Sequence, residues 1–252
     1  MKISLVICAH NEEQRIGHCL ASIQSALKAY PCNAEVVVVA NACTDETAAI
    51  ARGYPGVRVV VEPRKGLSRA RQTGYENSTG DLIANLDADI IMPDAWLPFV
   101  MNTFVKEPKL VALSGPYIYY DLSLFARACV KFFYGLSYIA YIITRFVLRA
   151  GSVLQGGNYV ARRSALMEVG GYDTSIHFYG EDTEAARRLS KVGPVRWTFR
   201  LPMYTSGRRL AHEGLVHMGM KYAINFVWTT FAAKPYTKTH IDVRTPVRSR
   251  KK

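Results

Sequence analysis

Four short apolar runs, at 3–8, 35–40, 57–61 and 81–86, alternate with segments of helical pattern at 12–28, from about 45, and at 67–77. The runs are β-branched and almost continuously apolar, as strands are when both faces of their sheet are covered. Their alternation with helices predicts a mostly parallel central sheet and an α/β fold class. In such sheets ligands lie beyond the carboxyl ends of the strands. The residues that follow strands are therefore the informative ones. After the first run comes His10-Asn11-Glu12-Glu13, after the second Asn41-Ala42-Cys43-Thr44-Asp45, and after the fourth Asp87-Ala88-Asp89. All three clusters are expected to line one crevice.

No G-x-G-x-x-G follows the first run and no G-x-x-x-x-G-K-[ST] occurs in the sequence. Glycine-loop dinucleotide and P-loop readings are thereby disfavoured. Residues i and i+2 of an extended segment point the same way, so Asp87 and Asp89 can face one hard cation together with the oxygens of a diphosphate. Mg²⁺ and Mn²⁺ suit that arrangement, in which substrate and water complete a small protein donor set. Such a cation offsets charge on a departing diphosphate. A D-x-D triplet also arises as a turn or cap; its place at a strand end favours the metal or sugar-nucleotide role.

The 252 residues, 49% apolar and 21% charged, exclude a disordered chain or a coiled coil and suffice for a full core. The expected organisation is a single domain over 1–233, divided into a nucleotide-sugar half at 1–115, an amphipathic helical segment at 116–150 and an acceptor half at 151–233. A basic tail follows at 234–252. It holds seven cations and one anion, half of the net charge of +12. Such a tail either solvates the chain or meets an anionic partner. Five cysteines without C-x-x-C spacing indicate neither a disulfide framework nor a zinc site. With no signal peptide visible, a reducing cytoplasm is expected.

Further motifs extend the pattern. Val6-Ile7-Cys8-Ala9-His10-Asn11-Glu12-Glu13 is followed by Val39-Ala40-Asn41-Ala42-Cys43-Thr44-Asp45-Glu46-Thr47, then by Lys65-Gly66-Leu67-Ser68-Arg69-Ala70-Arg71-Gln72-Thr73-Gly74 and Asp87-Ala88-Asp89. The later half adds Gly156-Gly157-Asn158-Tyr159 with Arg162-Arg163, Gly170-Gly171-Tyr172-Asp173, and Gly180-Glu181-Asp182. In these motifs and their order, over about residues 2–210, the chain resembles family 2 glycosyltransferases. The resemblance implies the Rossmann-like, A-type nucleotide-diphospho-sugar transferase fold.

It also implies roles. Asn11, Glu12 and Asp45 would bind the donor's nucleoside, carboxylates accepting from ribose hydroxyls or a base N–H. Asp87 would lie close to the ribose, with Asp89 the principal metal ligand. Arg71, or Arg69 in its place, would approach the base or diphosphate. Asp182, with Glu181 as second choice, would be the general base that takes the acceptor's proton in an inverting transfer. Each acid has a plainer reading beside this one. Glu12 and Glu13 can be first-turn acids, and Asp45 and Asp182 can be helix caps. Gly156-Gly157 would let backbone approach the donor, Asn158 would contact the sugar or shape the acceptor pocket, and Arg208 would lie over the leaving diphosphate. The Q-x-x-R-W of processive members is absent, which argues for transfer of one sugar. His212 and His217 are five apart and diverge by about 140° on a helix, which excludes a metalloprotease pair; either could add a metal ligand.

Residues 121–149 are the unusual stretch. The longest uncharged run, 132–144, is shorter than the roughly 17–25 residues of a spanning helix. Wound at about 100° per residue, Arg127, Lys131, Tyr134, Tyr138, Tyr141, Arg145 and Arg149 share one side. Phe125, Phe132, Leu136, Ile143 and Val147 take the other. Such a helix lies in a membrane interface or packs its apolar face on its own domain; the basic tail favours the membrane. The resemblance then implies transfer of one sugar from a nucleotide-diphosphate donor, UDP-linked, to an envelope glycan, lipid or polyprenyl-phosphate acceptor. Mg²⁺ or Mn²⁺ would assist, in a cytoplasmic enzyme peripheral to the inner face of the plasma membrane. The alternatives are a retaining glycosyltransferase, a related nucleotidyltransferase, and a non-catalytic module binding membrane or nucleic acid, of which nucleic acid is the less expected partner.

Overall fold

The structure is a computed structural model that describes residues 1–143, 153–176, 178–232 and 236–237. The first half runs β1 (Ile3–Ala9), α1 (Ile16–Ala29), β2 (Ala34–Asn41), α2 (Thr47–Arg52), β3 (Val57–Glu62), α3 (Leu67–Glu76), β4 (Leu82–Asp87) and α4 (Trp96–Lys106). These are the four predicted strands and the three helices between them; α4 is additional. One boundary differs: α1 begins at Ile16, because the turn before it is held across the crevice. There the backbone N–H of Glu12 donates to Thr47 Oγ1 at 2.7 Å, and Asn11 adopts a φ of 52°.

The second half runs β5 (Ala112–Ser114), β6 (Tyr117–Tyr119), α5 (Leu124–Ile142), β7 (Asn158–Arg162), α6 (Arg163–Glu168), α7 (Glu181–Val192), β8 (Val195–Trp197), β9 (Met203–Thr205), α8 (Arg208–Glu213) and α9 (Leu215–Ala232). Seven strands form one sheet in the order β3-β2-β1-β4-β7-β5-β8, and β6 pairs with β9 beside it. Strands β1 to β4 are parallel; β7 runs antiparallel to both its neighbours. Alternate side chains divide between two cores, as strand geometry requires. Ile3, Leu5 and Ile7 meet α1 and α4 on one face, while Val6, Val37 and Val39 meet α3 on the other. The order reverses at β1, flanked by β2 and β4. This is the switch point at which doubly wound sheets bind ligands.

Helix α5 corrects one expectation. Its tyrosine side packs on the domain: Tyr134 stacks on Trp197 with ring centroids 6.0 Å apart and accepts the Tyr117 N–H at 3.0 Å. Tyr141 is buried. The opposite side does not pack inward. Phe125, Phe132, Leu136 and Ile143 are between 44% and 79% exposed. The aromatic hydroxyls find partners inside, which lets a tyrosine face serve as the buried one. Val147, Arg145 and Arg149, and all but two residues of the basic tail, lie outside the described residues. Among the described residues, no helix is long and apolar enough to cross a membrane.

Candidate active site

The crevice opens at the carboxyl ends of β1, β2 and β4. Asp87 ends β4 and Asp89 lies two residues on, so the D-x-D falls where its strand delivers it. Asp87 Oδ2 accepts from the Tyr117 hydroxyl at 2.8 Å. Asp89 Oδ1 accepts from Thr205 Oγ1 at 3.2 Å, and its Oδ2 pairs with Arg208 Nη2 at 3.1 Å. The same guanidinium nitrogen pairs with Glu12 Oε1. Arg208 is mostly buried, which disfavours its charge, but Glu12 and Asp89 reverse that effect and raise its pKa. Its helix start is fixed by Asp121, which accepts from Ser206 Oγ at 2.6 Å and from the Gly207 N–H at 2.5 Å.

A second group lies beneath Gly156 and Gly157. Arg71, only 2% exposed, reaches Glu181 Oε1 at 3.0 Å and Asp87 Oδ1 at 4.0 Å, and donates to the Gly156 carbonyl. The guanidinium also lies over the Tyr159 ring, 5.4 Å from its centroid. Arg71 therefore does not project to a base or diphosphate as the motif suggested. It is an internal countercharge linking the D-x-D to the acids of α7. Among those acids, Glu181 is buried with one oxygen, Oε2, lacking a hydrogen-bond partner. Burial pushes its carboxyl up to about 8 against the pull of Arg71. Asp182 is only half-buried by surface exposure. Desolvation raises its pKa as well, opposed by Arg71 and by hydrogen bonds from Thr183 and Gly156.

The glycine pair closes the gap between these groups. A Cβ at Gly157 would stand 2.1 Å from Asp87 Cγ and 2.2 Å from the Tyr117 hydroxyl, whereas at Gly156 the nearest atom would be 3.1 Å away. Gly157→Ala should thus cost about 1–3 kcal/mol in strain and abolish nucleotide binding; Gly156→Ala should be milder in both. Thermal melts and calorimetric titration of the two variants check this. A Gly157→Ala protein that binds nucleotide normally would show that Asp87 is not held against this backbone.

Other predicted residues have different placements. Asp45 Oδ1 accepts from the Thr47 N–H and hydroxyl and its Oδ2 from the Glu13 N–H, and these bonds hold its pKa low despite partial burial. It serves as a clasp between two loops. Asn11 likewise clasps Thr44, accepting from its N–H at 2.8 Å. Asn158 is a correction: it is fully buried, takes the Trp96 Nε1–H at 2.8 Å, and gives its amide to the Gly115, Pro116 and Leu201 carbonyls. No part of it is exposed to a ligand in the crevice. His212 and His217 are exposed. Among the described residues, no three His, Cys, Asp or Glu side chains group as a metal cage. Two carboxylates at a crevice mouth instead fit a Mg²⁺- or Mn²⁺-type ion whose shell is completed by diphosphate and water.

Tyr117 and Thr205 were not legible from motifs. Each lies on a three-residue strand of the β6–β9 pair, and no spacing links them to the D-x-D.

A switch-point crevice with a strand-end D-x-D, faced across a glycine backbone by acids on α7, defines a glycosyltransferase of the A-type nucleotide-sugar fold. Residues 4–170 match the model of glycosyl transferase family 2, and the chain belongs to that family. It is thus a transferase, not a binding module alone. One relative, the glucosyl-dolichyl phosphate glucuronosyltransferase of Haloferax volcanii, is 25% identical over 98% of this chain and 79% of its own length. The dodecaprenyl-phosphate galacturonate synthase of Rhizobium johnstonii is 34% identical over 36% of this chain and 28% of its own. Among solved structures, a Pyrobaculum calidifontis mannosyltransferase in complex with GDP-Man and Mn²⁺ superposes with a TM-score of 0.69 at 19% identity. That match covers 92% of this chain and 63% of the mannosyltransferase. Glucosyl-3-phosphoglycerate synthase of Mycobacterium tuberculosis, with Mn²⁺, UDP-glucose and phosphoglyceric acid, gives 0.58 at 22% identity over 91% and 79% of the two chains.

Proposed function

We propose that this enzyme transfers one sugar from a UDP-linked donor, with inversion, to a hydroxyl of a polyprenyl-phosphate-linked or other lipid-linked acceptor. The observation that carries the reading is the pairing, across Gly156–Gly157, of a donor-side D-x-D with an accessible acid on α7. Asp89 and Asp87 would hold a divalent cation, which when bound supplies positive charge beside the departing diphosphate. Asp182 takes the acceptor's O–H proton as that oxygen bonds to the anomeric carbon, and the nucleoside diphosphate departs with the electrons of the broken C–O bond. Arg71 keeps Glu181 and Asp87 in place beneath. A base is of use only where the acceptor has a proton to give, and a phosphate oxygen is already anionic at neutral pH. Asp182 therefore favours a hydroxyl acceptor. Relatives named for dolichyl and dodecaprenyl phosphates support a lipid carrier.

Isothermal titration against a panel of nucleoside diphosphates, with and without Mn²⁺, tests the donor half. UDP should bind in a Mn²⁺-dependent manner, and Asp89→Ala should remove that dependence with a loss of at least about tenfold in affinity. Preference for another base would change the donor. Equal binding by Asp89→Ala would remove the cation from this position, and binding of none by folded protein would overturn the donor site.

A further inference from the structure

The second long helix, α9, carries an apolar stripe that the motifs gave no reason to notice. Val216, Met220, Ile224, Val227 and Phe231 fall within about 80° of one another on the helix and are 46–65% exposed. The inward side is formed by Met218, Asn225, Thr229 and Thr230, all buried. Helix α9 lies against α5: a Cβ at Gly219 would stand 3.3 Å from the Phe133 ring, and Val130 and Met218 share one small core. The exposed apolar residues of α5, from Phe125 to Ile142, occupy an arc of about 120° on the side away from that contact. Two neighbouring helices thus each present large apolar side chains to solvent, more than scattered surface hydrophobics account for.

The chain that follows α9 identifies the occupant. Thr237 is tied back to the helix, its N–H donating to Asn225 Oδ1 at 2.9 Å and its Oγ1 accepting from Asn225 Nδ2 at 2.8 Å. Beside it the Tyr236 ring meets Trp228 edge-on, with centroids 5.5 Å apart, both rings half-exposed or more. Tyr and Trp at an apolar border suit a headgroup layer, where the ring is buried and its polar tip stays wet. Residues 238–252, which leave from this anchor, hold six Lys or Arg and one Asp. An apolar stripe and an aromatic border, on a chain of net charge +12 whose next residues in sequence are cationic, match an anionic bilayer. A second copy of this equally basic chain would meet like charge.

We propose that the α9 stripe, with the outer face of α5, docks this protein on an anionic lipid surface. Neither helix spans the bilayer; each lies in its interface. The docking goes beyond the transfer reaction and does not depend on which acceptor the enzyme uses. None of the side chains it needs is among the partners described for Asp87, Asp89 and Asp182, so it can fail without the donor site failing.

Co-sedimentation of the full chain with phosphatidylcholine vesicles, with and without phosphatidylglycerol, tests it. Wild type should bind the anionic vesicles, and less so as salt rises. The variant Val216→Ser/Met220→Ser/Val227→Ser/Phe231→Ser should lose more than about tenfold in vesicle affinity with unchanged UDP titration and circular dichroism. Phe125→Ser/Phe132→Ser provides an independent variant on α5. Arg248→Gln/Arg250→Gln/Lys251→Gln/Lys252→Gln should lose the preference for phosphatidylglycerol. Equal binding by the stripe and α5 variants, or no binding by wild type at low salt, overturns the proposal. So does a wild-type dimer in light scattering that the stripe variant converts to monomer.

Discussion

Arg71→Leu should destabilise this protein by about 3–5 kcal/mol, the usual cost of leaving a buried charge without its partner. Arg71 is 2% exposed and its closest carboxylate, on Glu181, is 6% exposed, so water can replace little of what the guanidinium supplies. The Gly156 carbonyl and the Tyr159 ring lose a partner in the same substitution. Urea denaturation should show the loss as a lower midpoint. Arg71→Leu/Glu181→Leu removes both charges and should regain most of it, since exchanging a buried pair for apolar groups is often neutral. A single variant within about 1 kcal/mol of wild type would mean that the pair is not desolvated. Recovered stability should not restore transfer, because Asp87 still lacks its countercharge. That split between stability and turnover separates a positioning role from a packing one.

The second large effect concerns Asp182. Asp182→Asn should lower kcat with a hydroxyl acceptor by about 10²–10⁴-fold, the range for a lost general base. Binding of the nucleoside diphosphate should be nearly unchanged. The base must be ionised, and burial raises the Asp182 pKa above the usual aspartate value. The acidic limb of the wild-type rate profile should therefore lie at higher pH than a solvated aspartate would give: activity rises as pH rises through that raised pKa. The limb should vanish in the Asn variant. Glu181 is only 6% exposed and commits its carboxylate to Arg71 at 3.0 Å, so it is poorly placed to meet an acceptor hydroxyl. Glu181→Gln should consequently disturb stability more than the profile. If Asp182→Asn turns over normally while Glu181→Gln removes the limb, the two assignments exchange.

The nucleotide-sugar half was readable because its strands are six to eight residues long and end in polar clusters. Period and position then carry the information. Strands β5, β6, β8 and β9 have three residues each, too few for any period to show. With them went Tyr117 and Thr205, which orient the two aspartates. The direction of α5 was unreadable for another reason. Both of its sides are rich in large rings, and only the partners of the Tyr134 hydroxyl decide which side is inside. The resemblance brought Arg71 to the donor's base or diphosphate, and the string Gly66–Arg71 carries no sign of its burial. Its burial follows from Glu181 and Asp87, which are distant in sequence. Asp45 and Asn158 show the converse: motif residues whose side chains are spent on holding loops together.

The ion pair between Glu12 and Arg208 joins residues 196 apart in the sequence. One end of the chain thereby supplies a wall of the crevice begun at the other. The cost of closing so long a loop grows only logarithmically with length. Where donor binding requires Arg208 in place, occupancy of the crevice and docking of α8 are linked equilibria. A ligand at 100 times its dissociation constant contributes about 2.7 kcal/mol to whatever state it selects. A donor that binds only when Arg208 is in place would lend that free energy to α8, and through it to α9, which packs on α8.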